Sequence, residues 1–266
     1  MVHELPVSAL PAIANLIACW DFAEPAGQAR EARHGLGRFP LGEAAGAIPR
    51  AVGGPLSGYA AVFDGQQHYL TLPAALRGRL NCAGPGAQVT VVAWLRRERF
   101  QHAFIAGIWQ EDDHDPRRQY GLFVHLPLYG GRDNVCGHVS RFGGASPGLP
   151  YSRDYAANLT PVPLGQWVMA SFTYDGCEVR AYLNEQFEPR PSYTEPGPPQ
   201  GQGLSYAKNP YAWPHGLGDH QGDFTVGAVR LTRGMANHFA GHLGGLAVYD
   251  RALVASEIST LYRAFP

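Results

Sequence analysis

The sequence is nearly without lysine: Lys208 is the single one among 266 residues, and the rest of the positive charge is arginine. Charges of the two signs balance to a formal net of -1, so no basic surface is expected to attract a nucleic acid or an anionic membrane through bulk electrostatics. Neither is expected as a partner. No apolar run reaches the ~18–20 residues of a membrane span. The opening MVHELPVSALPAIANLIACW lacks the basic region and small-residue cleavage site of a secretory signal. As written, the chain is expected in the cytoplasm, with a secreted or periplasmic protein already trimmed of its signal as the alternative. The four cysteines, Cys19, Cys82, Cys136 and Cys177, have no C-x-x-C spacing, which removes the zinc and thioredoxin-like readings. All four are expected to be reduced. Nothing in the composition signals an oligomeric state.

What is present is turn-rich and apolar enough for a core, with Gly 33, Pro 22 and 45% hydrophobic residues. The most legible stretch is GQWVMASFTYDGCEVRAYLNEQF, residues 165–187. Two runs of β-branched and aromatic residues, Trp167–Tyr174 and Glu178–Leu183, flank Asp175-Gly176, a dipeptide suited to the positive φ of a tight hairpin turn. In the second run Val179, Ala181 and Leu183 share one face and leave Glu178, Arg180 and Tyr182 on the other. Further strands are predicted at Ile17–Phe22, Ala60–Phe63, Tyr69–Leu72, Val89–Arg96, Phe104–Trp109, Tyr120–Leu126, Val135–Phe142, over DFTVGAVRL from Asp223, and at Gly241–Tyr249. A terminal helix follows, with Ile258, Leu261, Tyr262 and Phe265 on one face. Between these lie three long loops, 24–58, 143–163 and 189–222. The first is read as a surface excursion. Loops of such length inside a compact domain point to function or disorder.

The hairpin's GQW, TYDG and VRAYLN resemble the central hairpin of the LamG/pentraxin group within the concanavalin A-like lectin/glucanase superfamily. Trp20-Asp21-Phe22, Val62–Pro73 (VFDGQQHYLTLP), Val89–Arg96 (VTVVAWLR) and Gly241–Tyr262 resemble other segments of that group, in the right order. The resemblance implies one all-β domain over 1–266: a concanavalin A-like, two-sheet antiparallel β-sandwich (jelly roll) with a short C-terminal helix. It also implies a carbohydrate partner, although this superfold hosts lectins, hydrolases, lyases and adhesion modules. In the family, Asp64 and an Asp of the closing strand can hold a structural calcium ion (Ca2+). This chain has Leu243-Gly244-Gly245-Leu246 where that second carboxylate belongs, and Asp64 also reads as a turn residue. A second oxygen-rich candidate is Glu111-Asp112-Asp113-His114-Asp115-Pro116, with Asp112 and Asp113 as ligands in the sharper reading and a solvated loop tip, an Asp opening a turn before Pro116, as the favoured one.

Sugar recognition needs flat apolar faces and planar polar groups, carried on loops at one end of a rigid sheet. Both later loops have that composition. The candidate ligand-binding residues are Arg132, Tyr151, Arg153, Asp154, Tyr206, Lys208, Asn209, Tyr211 and Trp213, with packing of the aromatics on the sandwich edge as the plainer reading. No Glu-x-Asp-x-x-Glu strand supplies the paired carboxylates of a retaining glucanase. A polysaccharide lyase remains as an alternative, with His138 as base, Arg141 or Arg153 holding a uronate carboxylate, and Tyr155 or Tyr206 as acid. His125 joins that set if it stands opposite His138 in the hairpin. No predicted strand carries the Gln-x-His pattern of alginate-lyase jelly rolls. Carbohydrate recognition leads, the lyase follows, and a protein-interaction module is third.

Overall fold

The computed structural model describes residues 10–127, 130–145, 155–191 and 208–265. The Asp175-Gly176 turn closes as its chemistry requires. Gly176 takes φ +93°, and Asp175 Oδ1 accepts the backbone N–H of Cys177 at 2.9 Å and of Glu178 at 2.7 Å. The strands on either side, β13 (Val168–Tyr174) and β14 (Glu178–Leu183), lie in the larger of two antiparallel sheets. Its order is β15 (Gln186–Phe187), β14, β13, β7 (Val89–Arg97), β20 (Ala240–Tyr249), β1 (Leu16–Trp20) and β2 (Ala32–Gly35). β4 (Arg50–Val52) and β5 (Tyr59–Asp64) join it through β20, and β16 (Tyr211–Ala212) joins through β14. The second sheet runs β12 (Tyr155–Ala157), β11 (Gly131–Val139), β10 (Tyr120–Leu126), β8 (Ala103–Ile108), β17 (Phe224–Val226), β6 (Leu70–Leu72) and β3 (Gly42–Glu43). A small third sheet holds β19 (Gly234–Ala236), β18 (Val229–Leu231) and β9 (Gln110–Glu111).

Alternation sets the layers. Val89, Val91, Ala93 and Leu95 of β7 and Ala170, Phe172 and Tyr174 of β13 meet Leu122, Val124, Val135 and Val139 of the second sheet in the main core. The opposite face of the larger sheet, with Val92, Trp94, Met169 and Tyr182, is covered by helix α1 (Ala255–Ala264) through Ile258, Leu261 and Phe265. The Phe265 ring stands edge-on to Trp94 at 5.5 Å. Glu257 fixes the start of α1 by accepting the Val254 N–H at 3.0 Å and pairing with Arg251. The chain is thus an all-β, two-sheet antiparallel sandwich with a short C-terminal helix. Tyr182, expected to face outward, is buried here against Phe187.

Three local expectations change. Residues 24–58 are more than a surface excursion, since they supply β2, β3 and β4 and send Arg30, Leu41 and Ile48 fully inside. DFTVGAVRL is two strands, because Gly227 turns at φ +84° and a Cβ there would meet Phe63 at 2.4 Å. The β10–β11 hairpin is tighter than predicted. β11 begins at Gly131, so His138 pairs with Gly121, and His125 sits on an irregularity between Val124 and Leu126 at φ +62°. The two histidines do not face each other.

Candidate functional site

On the side of the second sheet turned away from the main core, period-2 alternation gathers Phe104, Phe123, Cys136, Tyr155 and Ala157, joined by Trp109 and Val229. His138 lies at their centre. Its ring stacks on Tyr155 at 4.8 Å and is 5.1 Å from both Trp109 and Phe123. Trp109 donates its indole N–H to Glu111 Oε1 at 2.7 Å. Neither His138 nitrogen has a hydrogen-bond partner. Burial, then the charges of Arg118 and Lys208, push its pKa down to about 3, so at neutral pH the imidazole is uncharged and a weak base.

The two long loops meet at the edge of this face. The Ala157 N–H donates to the Lys208 carbonyl at 2.8 Å, and Lys208 Nζ lies 4.4 Å over the Tyr211 ring. Asn209 has a structural task. Its amide receives the Ala181 N–H and donates to the Ala181 and Glu188 carbonyls, all within 3.0 Å, as a neighbouring strand would. Tyr211 pairs with Val179, and Trp213 is buried with its indole N–H on the Gly216 carbonyl. What these loops present outward is different. Phe142 is 56% exposed, its ring edge-on to Trp213 at 6.1 Å and tilted to His215 at 6.2 Å. Beside it, Arg141 is exposed and donates to the Leu217 carbonyl, while its own carbonyl lies 3.0 Å from His220 Nε2. Arg141 and His138 therefore serve different surroundings. Close by, an open depression of about 490 Å³ is lined by Arg79, Asn81, Cys82, Gln88 and Asp250. Burial and the nearby Asp250 push the Cys82 thiol up to about 12, which makes it a poor nucleophile.

At the far end of β10, His125 Nδ1 is 2.6 Å from Asp133 Oδ1, which also accepts from Arg97 at 2.9 Å. Arg132 is exposed next to them. Burial would raise the Asp133 carboxyl, but the hydrogen bonds from His125 and Arg97 hold it below the usual carboxylate range. Tyr151, Arg153, Asp154 and Tyr206 lie outside the described residues. Among the described residues no group of three or more His, Cys, Asp or Glu side chains is placed to hold a metal ion. Asp112 Oδ1 accepts the His114 N–H, and the Asp113 N–H donates to Thr232.

Asp64 Oδ1 accepts three backbone N–H groups, from Gln66, Gln67 and His68, at 2.9–3.0 Å. Burial acts to raise this carboxyl, and the three donors overcome it and hold it at about 2. Because the folded pKa lies below the ordinary value, the stabilisation is full above roughly pH 4 and is lost as pH falls toward 2. Asp64→Ala is expected to cost about 1–2 kcal/mol at pH 7, with the gap to wild type closing in acid. A chelator is expected to leave the wild-type Tm unchanged. A fall in Tm on chelation would give Asp64 a metal instead.

Sequence reasoning missed Arg118, Phe142 and Trp109 as members of this region. Arg118 precedes the predicted strand, so no periodicity reaches it. Phe142 ends the predicted strand Val135–Phe142, which in the structure stops at Val139.

No protein-family model matches this sequence, and no curated protein does. Solved structures do share its fold. The binding domain of botulinum neurotoxin serotype G superposes with a TM-score of 0.54 at 10% identity, over 94% of this chain and 51% of that one. Trypanosoma rangeli sialidase in complex with sialic acid gives 0.52 at 16% identity, over 95% and 33%. Domain 4 of AbnA, an extracellular arabinanase from Geobacillus stearothermophilus solved with arabinotriose, gives 0.49 at 18% identity, over 93% and 98%. This chain thus spans about half of the toxin chain and a third of the sialidase. At such identities the likeness to the toxin and sialidase chains shows the fold alone, a two-sheet β-sandwich.

Proposed function

We propose that the chain is one LamG-like jelly-roll domain that recognises a carbohydrate at the rim where residues 140–145 meet residues 211–220. One observation carries this reading: the exposed Phe142 ring, braced by Trp213 and His215, with the Arg141 guanidinium beside it. A flat apolar surface flanked by planar and ring-nitrogen polar groups is what a pyranose and its hydroxyls require. A third of the chain of a sialidase solved with sialic acid shares this fold, and the fold by itself chooses no ligand.

The lyase reading is weaker. It asks one base near the working pH and one guanidinium to converge on a uronate. The imidazole assigned as base is held neutral at about 3 behind Trp109 and Tyr155, and Arg141 is committed to the Leu217 carbonyl on an exposed loop.

The test is retention of the protein on a panel of neutral and acidic polysaccharides, with absorbance of unsaturated products followed in parallel. Retention without product is expected. Phe142→Ala is expected to weaken binding about tenfold, the ~1.4 kcal/mol of one aromatic contact. Retention on none of them, or a Phe142→Ala protein that binds like wild type, overturns the reading. Unsaturated product hands it to the lyase.

A further inference from the structure

Arg118 is 5% exposed, and its Nε and Nη1 have no partner. No carboxylate among the described residues lies within ion-pair distance of it. Burial lowers its pKa, and Glu111 and Asp113 oppose this only as longer-range charges. His138, 4% exposed, leaves both ring nitrogens unpaired. Trp109 connects the two, with Arg118 Cζ 5.9 Å from its ring centroid and the imidazole 5.1 Å away. Arg118 also donates its backbone N–H to the Gly143 carbonyl at 3.1 Å, one residue from Phe142, so the pair adjoins the rim.

A buried guanidinium without a counter-charge is costly to the fold. Two such unpaired groups, both set against the Trp109 ring, are donors suited to an anion. The guanidinium fork matches the two oxygens of a planar or tetrahedral oxyanion, and a ring N–H of His138 adds a further donor. Glu111 does not fill this role: its Oε1 accepts the Trp109 indole N–H, and it reaches Arg118 only as a longer-range charge.

We propose that Arg118 and His138 bind the oxyanion of an acidic saccharide, a carboxylate or a sulfate ester, whose neutral part lies toward Phe142. The saccharide part of this inference rests on the carbohydrate reading above. The anion site rests on Arg118 and His138 alone.

Calorimetric titrations of the full chain with trigalacturonate, a carrageenan tetrasaccharide and arabinotriose separate carboxylate, sulfate and neutral ligands. One acidic probe is expected to bind at least tenfold tighter than arabinotriose, and which one it is names the oxyanion. Arg118→Met is expected to remove that preference. It is also expected to melt no lower than wild type, because it deletes an unpaired buried charge. Equal binding of acidic and neutral probes, or an unchanged preference in Arg118→Met, overturns the anion site and leaves carbohydrate recognition standing. A melting temperature several degrees lower in Arg118→Met overturns the premise that the guanidinium is unpaired. If no saccharide binds, the carbohydrate reading falls and sodium sulfate becomes the probe. A rise in Tm over sodium chloride of equal ionic strength, present in wild type and absent in Arg118→Met, sustains the anion site. No such rise overturns it.

Discussion

Arg30→Met is expected to lower stability by about 3–5 kcal/mol, the cost of breaking a buried charge pair from one side. Arg30 is 0% exposed. One guanidinium nitrogen donates to the Pro25 and Gln28 carbonyls at 2.6 and 2.8 Å, and another to Glu43 Oε1 and the Ile48 carbonyl at 2.7 and 2.9 Å. A stretch with little regular structure of its own is thus gathered around a single side chain. Methionine fills part of the volume but leaves Glu43 and three carbonyls without their donor. Urea unfolding followed by tryptophan fluorescence measures the loss, and a change below ~1 kcal/mol refutes the central role given to Arg30. Arg30→Met combined with Glu43→Met should recover part of it, because removing both partners avoids a stranded charge.

Gly244→Asp should be at least as damaging as an ordinary core substitution, although it restores the carboxylate that the family resemblance leads one to expect. A Cβ at Gly244 would stand 2.4 Å from Pro55 Cδ, 3.0 Å from Trp167 Cη2 and 3.2 Å from Gly54 Cα. The next residue, Gly245, is as tight against Leu56 and Trp94. The 54–56 turn and Trp167 therefore lie on bare backbone, and the paired glycines are there for close packing. Forcing a side chain in costs ~1–3 kcal/mol, and an unpaired carboxylate at a buried position adds a similar amount. Thermal melts with and without calcium decide the matter. If calcium rescues the variant to wild-type stability, the strand is a metal strand after all.

How much of this was legible depended on periodicity. β7, β13, β14, β20 and the helix carry enough repeats of their pattern to be located within a residue or two, and together they specify the sandwich. β12 has three residues, β3 and β16 two each, and strands so short exist only because a neighbour supplies their hydrogen bonds. The candidate site was half legible for a similar reason. Composition singled out the two loops, but not which side chains would turn inward. Asn209, Tyr211 and Trp213 became structure, whereas Phe142, at the end of a predicted strand, is exposed, and Arg118, ahead of one, is buried without a partner for its Nε and Nη1. The placement of His125 opposite His138 failed because β11 begins four residues earlier than its β-branched run suggests, and one slipped pair relocates every contact of a hairpin.

The amide of Asn209 has one further consequence. Beyond β14 the larger sheet ends, and an exposed strand edge invites another chain to add itself. Here that edge is already occupied. β16 pairs with Glu178 and Val179, the Asn209 side chain takes both backbone groups of Ala181, and β15 pairs with Tyr182 and Leu183. The outer edge of β14 is covered by three short pieces, one of them a single side chain, which leaves few of its backbone groups free to template another strand.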